Sequence, residues 1–298
     1  MKNIIFYLII FISVTHIAYA QLKPIYNNYL LNEIIINPAY AGSANALSAS
    51  LSYRNQWSGV AGPAIETYNI AAHTPMMTKY FATGAIVTHD KIGYTATTDI
   101  NICAAGRLKI NKYNIALGAQ AGYTSVRQNF DLSELKDADD PAFINAAGIN
   151  ALKYGIGIHL AHKKYFFSYS LPAFTTHDKL YNSGALQHYI MGGYILKLND
   201  IFTIKPSILI KYVADGTQYD LNTLVQISRF ITIGGQYRVA DALVALAQLK
   251  LTRQLGLGYA YEYSFNSLKN YASIGTHEIL LRYDFKYSVN DINVKTFY

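Results

Sequence analysis

The side chains able to do chemistry are few and widely spaced. Eight histidines and one cysteine, Cys103, are the candidate metal ligands or nucleophiles. Two ligands reach one metal most readily from His-x-x-x-His or Cys-x-x-Cys spacing, and neither pattern occurs. His159 and His162 on one strand would point to opposite faces. A lone cysteine forms no intramolecular disulfide, so Cys103 reads as a small apolar filler. Asp131, Glu134, Asp137, Asp139 and Asp140 form an acidic cluster whose oxygens have the right hardness for Ca²⁺. The Asp-x-Asp-x-Asp-Gly loop pattern is absent, so the cluster reads as a solvated loop. No Gly-x-Ser-x-Gly elbow is present, and no amphipathic helix follows a glycine-rich phosphate loop. The expectation is no catalytic residue, no metal, no cofactor and no enzyme.

What would position these residues is a long series of strands. Residues alternate apolar and polar with period two from Leu47 to Phe285, the signature of half-buried strands. Tyr113, Ile115, Leu117, Ala119, Ala121 and Tyr123 alternate with small and polar partners. Leu255, Leu257, Tyr259, Tyr261 and Tyr263 alternate with Gly256, Gly258, Ala260 and Glu262. Many segments exceed the usual soluble strand of about 5 or 6 residues and approach the 9 to 11 that cross a bilayer at a tilt. Segments starting near residues 44, 64, 80, 95, 113, 151, 165, 185, 200, 219, 231, 242, 253 and 275 give about 14 strands, an even number as single-chain bacterial barrels require.

Composition points the same way. Tyr occurs 27 times and Gly 20 times, while charged residues make up only 14%. A soluble sandwich would carry nearer roughly 25% charge on its wetted surface. The net charge of +7 is spread along the chain without a basic block, which fits a charged lumen and no nucleic-acid partner. The fold expected is all-β, a transmembrane antiparallel β-barrel with oily flanks outward and a hydrated, partly charged lumen.

Residues 1–20 read as a cleaved secretory signal: Lys2, an apolar run from Ile4 to Ile17, then Ala18-Tyr19-Ala20. The run is too short for a spanning helix of roughly 20 residues, and Gln21 in place of cysteine excludes a lipoprotein. Residues 21–43, with Pro24, Pro38 and several Asn, are demoted as a membrane strand and read as a plug, a periplasmic lead-in or a turn-rich cap. Residues 44–298 are expected to form the barrel. Tight links such as Lys163-Lys164, Asn199-Asp200 and Ala240-Asp241 are expected on the periplasmic side, and the long stretches, including Thr175 to Gly184, outside the cell.

Four strings carry a likeness to a known family: Asn37-Pro38-Ala39-Tyr40-Ala41-Gly42, Tyr53-Arg54-Asn55-Gln56-Trp57, His73-Thr74-Pro75, and Gly275-Thr276-His277-Glu278 continuing through Arg282-Tyr283-Asp284-Phe285. Together, in this order, the chain resembles the PorP/SprF family of the Bacteroidetes type IX secretion system. The resemblance implies an outer-membrane accessory barrel that supports secretion or surface attachment of a large partner such as an adhesin, including proteins of gliding. Implied partners are the secreted substrate or its C-terminal sorting domain and secretion components including a periplasmic peptidoglycan-binding lipoprotein. A general porin or small-solute channel in outer-membrane lipid is the alternative.

The same strings have a physical reading. Asn37-Pro38 favours extension then a turn, and Gly42 permits positive φ, so the string turns the chain into the first strand. Arg54, Glu278, Arg282 and Asp284 lie on polar faces of the first and last strands, which become neighbours on closure. They are expected to form one salt-bridge cluster in the lumen at the seam. Leu281, Tyr283 and Phe285 resemble a terminal signal for barrel assembly.

Overall fold

Period-two alternation leaves each strand with one face that needs oil and one that needs water or partners, and closing the sheet on itself satisfies both while removing its edges. The computed structural model describes residues 26–58, 65–76, 80–128, 148–175, 186–213, 216–265 and 274–285. The expected signal, the acidic cluster and the stretch from 176 to 185 lie outside these residues.

The strands are β1 (Leu47–Ser58), β2 (Ile65–Pro75), β3 (Phe81–Ile92), β4 (Thr95–Ile110), β5 (Tyr113–Gln128), β6 (Ile149–Ala161), β7 (Tyr165–Thr175) and β8 (His188–Tyr194). They continue as β9 (Leu196–Lys197), β10 (Phe202–Val213), β11 (Gly216–Ile227), β12 (Ile231–Arg238), β13 (Ala242–Lys250), β14 (Leu255–Ser264) and β15 (Gly275–Phe285). Both β8 and β9 pair with β10, so they are two pieces of one stave, interrupted opposite Pro206, which has no N–H to donate. Every pairing is antiparallel between neighbours, and β1 pairs with β15 across the seam. The result is a closed barrel of 14 staves.

The two faces sort as the alternation dictates. In β1, Ser48, Ser50, Ser52 and Arg54 are buried while Leu51 is exposed. Ile102, Leu117, Leu152, Ile233 and Leu243 stand on the outer, lipid-facing wall. Cys103 is buried, as a filler would be, facing inward beside Gly84. The alternation breaks at Trp57, which sits at φ +54 where the β1–β15 register shifts, its N–H donating to Thr276 Oγ1 at 3.1 Å.

Three single 3₁₀ turns precede β1: η1 (Asn28–Leu30), η2 (Glu33–Ile35) and η3 (Pro38–Tyr40). They lie inside the barrel. Hydrogen bonds or ion pairs from residues 26–42 reach β1, β2, β3, β6, β7, β10, β11, β12 and β15, so the segment is gripped from all sides. The lumen is therefore not simply wet. Tyr29, Leu30 and Ile36 pack with Phe166, Met191, Leu209, Leu224, Val244 and Leu246 in an apolar core enclosed by the wall.

Strand direction alternates, so the connection after every second stave falls at the end where the chain enters β1 and leaves β15. Lys163-Lys164 and Asn199-Asp200 lie there. Ala240-Asp241 lies at the opposite end, contrary to the expectation from its shortness, because it follows an odd-numbered stave. Parity, not length, decides the end.

Candidate functional site

Mid-strand charges must find water or partners, and here they find one another. Asp220 in β11 stands directly opposite Arg238 in β12, and Arg54 in β1 directly opposite Glu278 in β15. Lys211 in β10 lies 3.2 Å from Asp220, which is 3.4 Å from Arg238. Arg238 lies 3.1 Å from Glu262 in β14, Glu262 lies 3.2 Å from Arg54, and Arg54 lies 3.5 Å from Glu278. The chain of contacts Lys211, Asp220, Arg238, Glu262, Arg54, Glu278 runs round the wall from β10 across the seam to β1. Cations and carboxylates balance within it. Removing each ion from water costs several kcal/mol by general experience, offset only by opposite charge and hydrogen bonds in good geometry. Gln218 and Gln236 complete Asp220, donating at 2.9 and 3.0 Å.

The first turn of the inner segment docks on this belt. The backbone N–H groups of Asn27 and Asn28 donate to the two carboxylate oxygens of Glu278, at 2.8 and 3.3 Å. A helical turn leaves its first N–H groups without internal partners, and Glu278 supplies them. Arg238 donates to Asn27 Oδ1 at 3.0 Å, and Tyr29 donates to Asn222 Oδ1 at 3.1 Å. Glu33 of η2 reaches Lys205 of β10 at 3.3 Å, and that ammonium lies 4.4 Å from the Phe166 ring centre. Burial pushes the phenols of Tyr26, Tyr29 and Tyr40 up, so they remain neutral donors.

The third turn docks on the opposite wall. Asn37 caps η3 by accepting from the Ala39 N–H at 2.9 Å, while its amide donates to Ser168 Oγ at 2.5 Å and Ile158 O at 3.1 Å. Pro38 and Ala39 press on Gly118 of β5 and Asn37 on Gly157 of β6, a cross-strand glycine pair whose missing side chains make the room. Tyr40 meets the rings of His73 and His159 edge-on at 6.2 and 5.8 Å. Gly42, at φ +70, donates its N–H to His73 Nδ1 at 3.1 Å and packs close to Pro75 and Ala82.

The motif residues thus fall into separate places. Asn37, Pro38 and Ala39 sit against β5, β6 and β7, while Tyr40 and Gly42 meet His73, and Gly42 meets Pro75, on the inside of β2. Arg54 and Glu278 belong to the charge belt. Arg282 and Asp284 do not: they pair with each other at 3.0 Å nearer the end of β15, where Arg282 also donates to Leu31 O at 3.3 Å. The single four-residue seam cluster is corrected to two groups, because the register sets Arg282 and Asp284 opposite Ser50 and Ser48, displaced along the strands from Arg54 and Glu278. Gln56 is half-buried in β1, and His277 faces outward, its ring 2.7 Å from Tyr259 Oη. Sequence reasoning missed Glu33, Lys205, Lys211, Asp220, Arg238 and Glu262. The signal was present in the flanks: Glu262 between Tyr261 and Tyr263 is a charge on the inward position of a strand. Among the described residues, no three His, Cys, Asp or Glu side chains are grouped to hold a metal.

Strands that are apolar outside, charged inside and closed across β1 and β15 define the outer-membrane β-barrel class. The toluene transporter TbuX of Ralstonia pickettii shares this fold, with a TM-score of 0.54 at 10% identity over 86% of this chain and 94% of that one. Omp33 of Acinetobacter baumannii is also similar, with a TM-score of 0.48 at 9% identity over 81% of this chain and all of that one. No curated protein matches the sequence. The chain belongs to the type IX secretion system membrane protein family PorP/SprF, whose pattern matches residues 18–283.

Proposed function

We propose that this protein is a non-catalytic accessory barrel that supports the secretion or surface attachment of a large partner protein, such as an adhesin, by the type IX route. It resides in the outer membrane after export with a cleaved signal. Its partners are the secreted substrate or its C-terminal sorting domain and, on the periplasmic side, secretion components including a peptidoglycan-binding lipoprotein. The observation carrying this reading is the inner segment, pinned by Asn27, Asn28 and Asn37 to opposite walls of the lumen. A filled lumen suits a barrel that works through its surfaces and loops, and it counts against a general porin.

Comparing surface and supernatant proteomes of a deletion strain with those of its complemented parent tests the proposal. One or a few large proteins should disappear from the surface. An unchanged proteome, together with rapid sugar flux through the purified protein in liposomes, would establish the porin reading instead.

A further inference from the structure

The end of the barrel where β1 begins and β15 finishes carries four lysines that are in no ion pair among the described residues. Its described carboxylates are already taken, Asp200 by Lys197 at 2.8 Å and Asp284 by Arg282 at 3.0 Å. The cations are densest on two hairpins, β4–β5 and β6–β7, which carry Lys109, Lys112, Lys163 and Lys164. No Asp or Glu occurs from 106 to 114 or from 158 to 168. None of the four lysines is in an ion pair among the described residues, and all four are exposed. β5 pairs with β6, so the two hairpins are neighbours, and like charges on adjacent hairpins repel unless an anion sits among them.

Beside the lysines is an aromatic platform. Tyr113 follows Lys112, Tyr165 follows Lys164, and the two phenols share a hydrogen bond of 3.0 Å. The His162 ring lies against both, with centroids 5.3 and 4.6 Å away. His162 Nδ1 accepts the Lys164 N–H at 3.3 Å, which leaves the proton of the neutral ring on Nε2 as a further donor. Tyr113 and Tyr165 stand on the outer wall in line with exposed Leu117 and Phe167. Outward aromatic rings at strand ends mark the level where hydrocarbon meets headgroups, and lysines just beyond them reach into the phosphate layer.

We infer that Lys112, Lys163 and Lys164, together with the Tyr113–His162–Tyr165 platform, bind the phosphate headgroup of an anionic phospholipid in the periplasmic leaflet. The position on the lipid-facing wall favours a lipid over a soluble acidic protein, because the rings and the apolar strands below them already abut the bilayer. The inference is independent of the secretory role.

The test places the full-length processed protein in nanodiscs of phosphatidylethanolamine mixed with phosphatidylglycerol, then measures co-retained lipid by native mass spectrometry. Phosphatidylglycerol should be retained in clear excess. The triple variant Lys112→Gln, Lys163→Gln, Lys164→Gln should lose roughly tenfold or more of that preference, and the corresponding triple Arg variant should keep it. A heat-modifiable gel shift verifies that each variant is folded. Equal retention of both lipids, or a Gln variant that behaves as the parent, overturns the site. Complete displacement of phosphatidylglycerol by inorganic phosphate overturns its lipid character.

Discussion

Arg238 is fully buried and contacts Asp220, Asp241, Glu262 and Asn27. Arg238→Ala would leave Asp220 and Glu262 short of positive charge, and breaking a buried pair in this way costs about 3–5 kcal/mol. Urea unfolding followed by the emission of Trp57, the one tryptophan, should show that loss. Arg282→Ala, whose partner Asp284 is its own strand neighbour, should cost distinctly less. Equal losses in the two variants would mean that the belt is not an electrostatic unit. Cys103 gives an independent check of facing: it should react with maleimide only after unfolding, and prompt reaction in the folded barrel would put it on the wrong side of the wall.

Among the elements, the third turn depends on the glycine pair Gly118 and Gly157. Gly118→Val should push Pro38 and Ala39 off the wall, loosening the inner segment and raising conductance in planar bilayers. Gly106→Val, where a side chain meets nothing within 4 Å, should leave conductance unchanged. If both variants behave as the parent, the contact does not hold the segment in place. Strand positions were legible in the sequence because Leu–Ser and Ile–Gly alternation reports facing directly: the expected starts at 95, 113, 165, 231, 242 and 275 coincide with those observed. The route of residues 26–46 was not legible. Three short turns bury their side chains by contacts to strands up to 251 positions away, and no local period records such contacts. The same limit explains the site, where Arg54 and Glu278 were legible as strand neighbours but Glu262 and Arg238 meet them only through side chains reaching over β13 and β15.

For the molecule as a whole, alternation of strand direction fixes which connections share a side of the membrane. Tyr94→Cys, in the turn between β3 and β4, should be labelled by an impermeant maleimide on intact cells. Lys163→Cys should be labelled only after the outer membrane is opened, and the reverse pattern would invert the barrel. Deleting residues 21–46 should convert the closed barrel into one that passes small sugars in liposome swelling, provided the variant keeps its heat-modifiable shift. No swelling from the folded variant would show that something other than the inner segment blocks the lumen.

The amides of Asn27 and Asn28 meet a carboxylate that the ribosome adds some 250 residues later. This early part of the chain must therefore wait for its partner through nearly all of synthesis. When Glu278 arrives it behaves as a keystone, joining the last stave to the first and seating the waiting turn in one event. A chain truncated before that residue lacks both the finished ring and the carboxylate that seats its first turn.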